Sequence, residues 1–547
     1  MPDTTSKQQG VQPKATPPTP TTPQGRTLAT GPRSPAPPFQ KKLSGAPDAL
    51  DDSSPATPGT PATAPGVDRN QTLCVLLPED GRIGIETVIN QHQQAFVVDR
   101  SKGNPVLLRI GSPALNALIV HELIKRGDRS NQHAIEAAND LLLAHAHKDG
   151  RHVETFVRVA PVEPVGVEID LGDEQQTRVR ITPGKVEPLT TGSTALFVRP
   201  KSARPIPLPA ASGDYTKLKP YINLDWVDFT VLVGWISYTI AHPKGQGSKY
   251  VILVLQGGQG TGKSLTCSLL SEIIEPTKNR GRMLPSKAQD LAIAAQNNHL
   301  LVFDNVRSIS PVMSDALCIA STGGVIAQRK LYSDDEEQVS ELHAAVILNG
   351  IYSFIEQPDL AQRTLIVRLS PLAEESRRSE ADLQRDLAHD LPGIVRGLYD
   401  LIAEVFKHLP DVAATAPTRM IEFSRWLAAI EKALGMPGGT LQEHYVENIT
   451  AGQLDSLLDN ELASVLLEFA HTLDDGQWAG TPAELLEHLT SNAVFTAIRP
   501  RNWPTTPISL SKRLLALQAA LATQGIDVEF TRGKKRTITI LKKEQEQ

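Results

Sequence analysis

Residues 251–264 read VILVLQGGQGTGKS, an apolar run followed by a glycine-rich loop that ends in lysine and serine. Glycines let the backbone turn tightly and bring N–H groups close to phosphate oxygens, and a following helix adds its dipole. Lys263 supplies a charge for the β- and γ-phosphates, and Ser264 a hydroxyl for Mg²⁺. We therefore predict a strand, an ATP-binding loop and a helix opening near Ser264. The predicted nucleotide contacts are Gly257, Gly258, Gln259, Gly260, Thr261, Gly262, Lys263, Ser264 and Leu265.

Two polar residues end buried strands downstream of this loop. Residues 299–305 read HLLVFDN and contain Asp304, and residues 344–349 read AAVILN and end at Asn349. An acid at a strand end in phosphate-loop ATPases binds Mg²⁺, so Asp304 is predicted to hold the metal; the alternative is an acid that merely ends a strand. Asn349 is predicted to contact the γ-phosphate or orient the attacking water, although an Asn before Gly350 also suits a turn.

An arginine follows in the segment DLAQR, residues 359–363. Arginine can stabilise charge on a transferred phosphoryl group, and it can come from a neighbouring subunit. The alternative for Arg363 is a surface salt bridge, for instance to Asp359. The residues predicted to act in catalysis are Lys263, Asp304, Asn305, Asn349 and Arg363, and the predicted metal ligands are Ser264 and Asp304.

The order of these elements resembles that of superfamily 3 helicases of the AAA+ class. More specifically, the chain is similar over residues 156–445 to the primase-helicase-like ATPases of phages and integrated mobile elements. The resemblance implies an AAA+ phosphate-loop ATPase core and a ring, usually a hexamer, with ATP between subunits. It implies that Asn349 is a nucleotide sensor and Arg363 a finger acting on the neighbour's nucleotide. The segments that carry it read GVEIDLGDEQQTRVRITPGK, LPSKAQDLAIAAQNNHLLVFDNVRSIS, DALCIASTGG, RKLYSDDEE, VILNGI and PDLAQRTLIVRL.

One residue departs from the pattern of many AAA+ proteins. They follow the metal-binding Asp with Glu, a general base for water, whereas this chain has Asn305. An amide can orient water but cannot accept its proton. Either another carboxylate helps, or Asp304 itself serves, or hydrolysis is slow, because proton transfer contributes about 10²–10⁴-fold to a rate.

A hairpin is predicted between the acidic strand and the Asn strand, over residues 323–345. In the resembling helicases a hairpin here lines the pore and grips DNA, which assigns phosphate contacts to Arg329 and Lys330 and base stacking to Tyr332. The acidic stretch at residues 334–337 argues against a DNA contact at the tip and could instead pair with a neighbouring subunit.

The C-terminal residues predict a winged helix. Thr481 to Glu484 form a helix-capping pattern, and residues 508–523 form an amphipathic helix with Leu510, Leu514, Leu517 and Leu521 on one face. Two strands, Val528–Thr531 and Arg536–Leu541, then flank a basic turn. In this fold the last helix enters the major groove and the wing contacts phosphates; packing or protein contact is the alternative. The predicted DNA contacts here are Lys512, Arg513, Arg532, Lys534, Lys535 and Arg536.

The elements that must position these residues predict a multidomain α/β protein. Residues 1–66 hold 15 of the 41 prolines, a composition typical of disorder, either as a plain tail or as a partner-binding one. Strands at Thr72–Leu77, Gln94–Val98, Phe156–Ala160 and Arg178–Ile181, with helices at Ser112–Arg126 and Gln132–His147, indicate an α+β domain without a convincing metal or primase site. The predicted divisions are a disordered tail (1–70), the α+β domain (71–200), a linker (201–220), the AAA+ core (221–375), a helical domain (376–475) and the winged helix (476–547).

The composition limits the cellular compartment and the binding partners that we expect for this protein. The 547 residues carry a net charge of −6, so DNA binding must come from local patches. Three scattered cysteines indicate a reducing compartment, with neither a disulfide framework nor a zinc site. Because we find neither a signal peptide nor a run of 18 apolar residues, we expect a protein of the bacterial cytoplasm.

These observations favour an ATP-driven, ring-forming DNA helicase or translocase that acts in replication of a phage or mobile element. Its expected cofactors are ATP and Mg²⁺, and its expected partners are DNA, single-stranded or forked, and further copies of itself. The alternative is an ATP-binding switch or assembly platform on DNA that does not unwind it, which Asn305 and the proline-rich tail favour. A small-molecule kinase lacks any sign of an acceptor pocket.

Overall fold

The computed structural model describes most of the chain after residue 84. The described residues are 85–101, 103–125, 131–245, 247–278, 281–329, 337–351, 353–371, 379–415, 418–458, 460–473, 476–492, 503–532 and 536–543. The tail predicted over 1–70 and the strand predicted at Thr72–Leu77 lie outside them.

The described residues form strands and helices that we number along the chain. The strands are β1 (Ile85–Asn90), β2 (Ala95–Asp99), β3 (Val106–Arg109), β4 (Arg151–Val153), β5 (Val159–Pro161), β6 (Val167–Asp170), β7 (Arg178–Thr182), β8 (Lys185–Leu189), β9 (Ile252–Gln256), β10 (Leu300–Phe303), β11 (Gly324–Arg329), β12 (Glu337–Leu342), β13 (Ala345–Asn349), β14 (Thr364–Arg368), β15 (Gln477–Gly480), β16 (Ile526–Arg532) and β17 (Arg536–Lys542). The α-helices are α1 (Pro113–Lys125), α2 (Gln132–Asp149), α3 (Trp226–Ala241), α4 (Lys263–Ile274), α5 (Ala288–Gln296), α6 (Pro311–Thr322), α7 (Pro358–Ala361), α8 (Glu380–His408), α9 (Ile421–Leu434), α10 (Thr440–Leu458), α11 (Glu461–His471), α12 (Pro482–Asn492) and α13 (Pro507–Thr523).

A parallel four-stranded sheet, in the order β10-β13-β9-β14, forms the centre of the chain. Its strands are continuous apolar runs because both faces of a parallel sheet are covered. On β9, Leu253 and Leu255 enter one hydrophobic core, and Ile252 and Val254 enter the other. The strands predicted from the three apolar runs at 251–255, 299–303 and 344–348 are confirmed.

Helix α3, which precedes this sheet, is buried on all sides over most of its length, as its nearly continuous apolar sequence indicates. From Phe229 to Ala241 all of its residues are buried. Trp235 donates its ring N–H to the Val251 carbonyl at 2.7 Å, and Trp426 of α9 donates to Ser237 at 3.0 Å. This helix therefore fixes the central sheet against the helical region that follows it.

Both outer strands of the central sheet are covered by side chains or loops. On β14, the Ile366 backbone N–H donates to Oδ1 of Asn448 at 2.9 Å, and its carbonyl accepts from Nδ2 at 2.7 Å. On β10, the Leu300 N–H donates to the Glu275 carboxylate at 2.8 Å, and the Val302 carbonyl accepts from the Arg282 N–H at 3.0 Å. Helix α10, which carries Asn448, thus stands in for a further strand.

Two smaller sheets precede the core. The first has the strand order β3-β2-β1-β4 and packs against α1 and α2. The second has the order β5-β6-β7-β8 and contributes to the main hydrophobic core. Both predicted helices are confirmed over the described residues. The strand predicted at Phe156–Ala160 begins instead at Val159, because Arg158 adopts a left-handed φ of 68°. Its side chain there donates to the Asp170 and Leu171 carbonyls.

The proline-rich segment 201–220, predicted as a linker, packs along the core instead. Ile206 and Leu218 are buried, and the Ile206 N–H donates to the Leu171 carbonyl at 2.8 Å. Its prolines favour an extended backbone, which can pack across other elements. Proline content alone does not distinguish such a segment from a solvent-exposed linker. Segment 201–220 is therefore a packed strap that ends in the 3-10 helix Tyr215–Tyr221.

The C-terminal module has its own hydrophobic core between α11, α12, α13 and the antiparallel sheet β15-β17-β16. Leu510, Leu514, Leu517 and Leu521 are all buried, as their spacing predicted. The capping pattern is confirmed as well, since Thr481 N–H donates to the Glu484 carboxylate at 2.7 Å. None of the described helices in the chain has the length and apolar character needed to cross a bilayer.

Candidate functional site

The loop after β9 has a backbone that requires glycine. Gly257 has a φ of 156°, and a Cβ there would lie 2.7 Å from the Leu369 carbonyl oxygen and 2.7 Å from the Thr261 hydroxyl. Gly260 and Gly262 adopt left-handed φ values of 79° and 83°, which cost side-chain-bearing residues free energy. These glycines therefore hold a tight turn at the carboxyl end of the strand.

The turn leads into a helix whose first N–H groups have no internal partner. Helix α4 begins at Lys263, and its N-cap, Gly262, has no side chain to satisfy those groups. A Cβ placed on Gly258, Gly260 or Gly262 would meet no atom within 4 Å, so the space beside the loop is open. Free N–H groups, a helix dipole and open space together make an anion site.

The lysine of the loop is folded over the loop itself. Lys263 Nζ donates to the carbonyls of Gly257 at 3.0 Å and Gly258 at 2.7 Å. Ser264, the next residue, is exposed. The ammonium group is thus already positioned over the turn, and the hydroxyl faces solvent at the first turn of the helix.

Asp304 and Asn349 meet at the carboxyl ends of neighbouring strands. Because β10 and β13 are parallel, the two residues that follow or end these strands lie at one edge of the sheet. Asn349 Nδ2 donates to Asp304 Oδ1 at 2.6 Å. Asn349 is 1% exposed, and its Oδ1 is buried without a hydrogen-bond partner. That acceptor can take a bond from a water molecule or a bound group.

Cys267 of α4 marks where the loop and the acidic pair converge. Burial raises the pKa of its thiol to about 12. The Asp304 charge also raises this pKa, whereas a hydrogen bond to Asn349 and the Lys263 charge lower it. Asp304, Asn349 and Lys263 all act on this one thiol. The three predicted residues therefore lie near the start of α4.

A segment beside Asp304 was not singled out from the sequence. The Asp304 N–H donates to the Arg282 carbonyl at 3.0 Å, and a Cβ on Gly281 would lie 3.1 Å from the Asp304 Cβ. This segment, which reads GRM at 281–283, has no strand-like alternation, so only its glycine hinted at a close approach. It helps to fix the position of the Asp304 backbone.

Asn305 adopts a left-handed backbone with φ of 60° and is exposed. The next N–H, that of Val306, donates to the Asn349 carbonyl at 2.8 Å. Asn tolerates this conformation better than Glu does. The backbone therefore gives a physical reason for Asn rather than Glu at this position.

Arg363 lies at the opposite end of the sheet from the loop of its own chain. It directly precedes β14, and its carbonyl accepts from the Ile252 N–H at 2.9 Å. Its guanidinium is buried and binds the Asp359 carboxylate at 2.6 Å and the Asp359 carbonyl at 2.7 Å. The five-residue strand separates it from the loop by roughly 17 Å. The Asp359 ion pair considered from the sequence is present.

The residues at the loop fit a nucleotide with Mg²⁺. Among the described residues, no group of three or more His, Cys, Asp and Glu side chains is arranged to hold a metal ion on its own. Mg²⁺ in nucleotide sites commonly uses one or two protein ligands and completes its shell with phosphate oxygens and water. The Ser264 hydroxyl and the Asp304 carboxylate are a donor set of that kind.

The predicted DNA contacts are described only in part. Lys330, Tyr332, Lys534 and Lys535 lie outside the described residues, as do residues 334–336 of the acidic stretch. For Arg329 and Arg532 the structure describes the backbone, which lies in the hairpins β11-β12 and β16-β17.

Three remaining candidates lie on the C-terminal module. Lys512 is exposed and Arg513 half-buried on α13, and Arg536 is exposed at the start of β17. Lys512 has two exposed apolar neighbours on its helix, Ile508 and Leu515. This helix face combines one positive charge with apolar side chains. It is suited to contact with a phosphate and also to contact with another protein.

Matches to two protein families point to replication of a mobile element. Residues 234–450 match the family described as actinomycete integrative conjugative element replication protein, and residues 462–547 match the AICE RepA C-terminal domain. Two solved apo structures of the NrS-1 C-terminal region are similar over 87% of this chain and 99% of theirs. Their sequence identities are 13% and 12%, with TM-scores of 0.37 and 0.35. No curated protein matches the chain.

Proposed function

We propose that this chain, a replication protein of a mobile genetic element, is an ATPase that assembles into a ring and moves along DNA. The observation that carries the proposal is the contact between Asn349 and Asp304 beside the loop of Gly257–Ser264. An acid, an amide and a phosphate loop at one edge of a parallel sheet are the parts that phosphoryl transfer from ATP needs. The site lies outside the carboxyl ends of the strands, where ligands of open α/β sheets bind.

In the proposed mechanism the loop binds the phosphates through its backbone N–H groups, and Lys263 turns from the loop carbonyls to the β- and γ-phosphates. Mg²⁺, held by Ser264 and Asp304, would neutralise charge on the phosphates. Asn349 would position Asp304 through its Nδ2 and keep Oδ1 available for the attacking water. Asn305, whose amide cannot accept a proton, leaves that task to Asp304 or to another carboxylate, and we expect slow turnover.

The position of Arg363 supports the proposed assembly. An arginine side chain cannot bridge the roughly 17 Å between Arg363 and the loop of its own chain. We infer that it acts on the nucleotide of a neighbouring copy, as a trans-acting finger in an AAA+ type ring. Such a ring would place the hairpin β11-β12 of each copy toward DNA, with the C-terminal module as a winged helix that anchors it.

The test is ATP turnover by the full chain with and without single-stranded DNA. We expect wild-type turnover that DNA stimulates, and loss of turnover in Lys263→Ala. Lys278→Ala is the matched control, because Lys278 is exposed just beyond α4 and outside the site. Absence of wild-type turnover would refute the ATPase. Strand separation on forked DNA then tests the helicase.

A second candidate is an ATP-binding switch that assembles on DNA without unwinding it. Asn305 favours it, because the residue offers no base for water. This candidate predicts ATP-dependent oligomerisation with negligible turnover in the presence or absence of DNA. ATP turnover that rises with added single-stranded DNA would exclude it.

A further inference from the structure

The carboxylate of Asp359 is shared between two arginines from different elements. One oxygen binds Arg363 at 2.6 Å, and the other accepts from Arg419, which lies just before α9. Arg419 also approaches the Gln362 side-chain oxygen at 3.4 Å. Both guanidinium groups therefore meet at a single acid of α7.

The two arginines differ in how they are exposed. The Arg363 side chain is 8% exposed, whereas those of Arg419 and Asp359 are 45% and 54% exposed. Arg363 Nε is buried without a hydrogen-bond partner. Of the two guanidinium groups, that of Arg419 is therefore the one accessible to another molecule. That of Arg363 is buried behind the Asp359 carboxylate.

The charges at this position favour an anion. Although burial raises the pKa of the Asp359 carboxyl, hydrogen bonding to Arg363 and the charges of both arginines bring it below its usual value. Among these three side chains, one negative charge therefore faces two positive charges.

We propose that Arg419 contacts the nucleotide phosphates bound by an adjacent copy of this chain, so that each subunit boundary supplies two arginines, Arg363 and Arg419, held together by Asp359 until the nucleotide arrives. This inference rests on the proposed ATPase and assigns a further residue to its site. The triphosphate replaces Asp359 as the partner of the guanidinium groups. Arginine suits this exchange because its planar fork binds phosphate and carboxylate in the same bidentate way.

The first experiment compares Arg419→Ala with Arg425→Ala. Arg425 is a matched control six residues on, since it donates to the carbonyls of Leu409 and Val412 and not to Asp359. We expect Arg419→Ala to lower kcat by about 10²- to 10³-fold and to keep the melting temperature of the wild type, while Arg425→Ala retains full turnover. An exposed ion pair contributes little to stability, so a merely structural Arg419 would leave kcat unchanged, and that result would overturn the inference.

A mixing experiment tests whether Arg419 acts between copies. Lys263→Ala chains lack a working loop but carry Arg419, and Arg419→Ala chains carry a working loop. Mixing the two should restore turnover, because some boundaries then combine an intact loop with an intact arginine. A mixture of Arg419→Ala with Arg363→Ala should recover nothing, since every boundary lacks one arginine. Failure of the first mixture would place Arg419 in the site of its own chain and overturn the proposal.

These outcomes separate this inference from the function on which it rests. A wild-type chain that hydrolyses no ATP refutes the ATPase and the Arg419 assignment together. Wild-type turnover with an unaffected Arg419→Ala refutes the assignment alone.

Discussion

The side-chain amide of Asn349 donates a 2.6 Å hydrogen bond to the carboxylate of Asp304, across 45 residues of sequence. The bond joins the ends of two neighbouring parallel strands. It uses one carboxylate oxygen of Asp304 and leaves the other for a metal or for water. The amide thereby orients the acid next to the loop that follows β9.

Loss of this amide should affect turnover more than nucleotide binding. We expect Asn349→Ala to lower kcat for ATP by about 10²-fold, because Asp304 and the attacking water lose the side chain that positions them and a misplacement of about 1 Å costs that much. We expect the affinity for ATP to stay within a few-fold. Asn297→Ala is the control, since Asn297 caps the C-terminus of α5. Steady-state kinetics and ATP titration decide the matter, and equal losses in kcat and affinity would contradict a positioning role.

Two adjacent glycines of the loop should respond differently to a methyl group. In Gly257→Ala the new Cβ would lie 2.7 Å from the Leu369 oxygen, whereas in Gly258→Ala it would enter open space. We therefore expect Gly257→Ala to weaken ATP binding by at least about tenfold and Gly258→Ala to keep it. Titration of both variants with a fluorescent ATP analogue measures the difference, and similar affinities would show that the turn is not needed in this shape.

The pair of His444 and Asp228 should make stability depend on pH. The hydrogen bond that the His444 ring donates to the Asp228 carboxylate raises the pKa of His444, whereas burial lowers it. The Nε2–Oδ1 distance is 2.7 Å. Because the folded pKa exceeds the unfolded one, the contribution is fully present below about pH 6.5. It disappears as pH rises through the elevated value.

The measurement is thermal unfolding of the full chain between pH 5.5 and 8.5. We expect the advantage of the wild type over His444→Gln to shrink as pH rises across this range. His133→Gln is the control, because His133 is 96% exposed. A difference between wild type and His444→Gln that stays constant with pH would exclude the linkage.

The C-terminal module should show its DNA contacts in salt dependence. If Lys512 and Arg536 touch phosphates, replacement of either by Ala should reduce the slope of log K against log salt by about one. Lys185→Ala provides the comparison, since that exposed lysine lies in β8. Fluorescence anisotropy with duplex and single-stranded DNA at several salt concentrations gives the slopes. Unchanged slopes would point to protein contact through Ile508 and Leu515.

Sequence alone predicts the parts of this molecule that rest on local pattern. The strands before Gly257 and Asn349 are unbroken apolar runs, and the leucines of α13 recur at helical spacing, so their burial follows from the pattern. The loop geometry follows from its glycines. Such features need no knowledge of what lies across the fold.

The rest depends on contacts between distant residues. Arg419 meets Asp359 from 60 residues away, and Asn448 meets Ile366 from 82. Neither pair has a repeating pattern, because a single polar side chain at a tertiary contact looks like any exposed polar residue. The left-handed φ of Asn305 could not be predicted either, because Asn is only weakly preferred in that conformation and also occurs in many others.

The covered edges of the central sheet restrict how copies of this chain can meet. Asn448 takes both backbone groups of Ile366 on one edge strand, and on the other Glu275 and Arg282 take those of Leu300 and Val302. Unpaired strand edges invite pairing with other chains and aggregation. With these groups already satisfied, copies cannot fuse their sheets into one continuous ladder there. Any contact between copies at these two edges would therefore form through side chains, which can be released and remade as an assembly changes state.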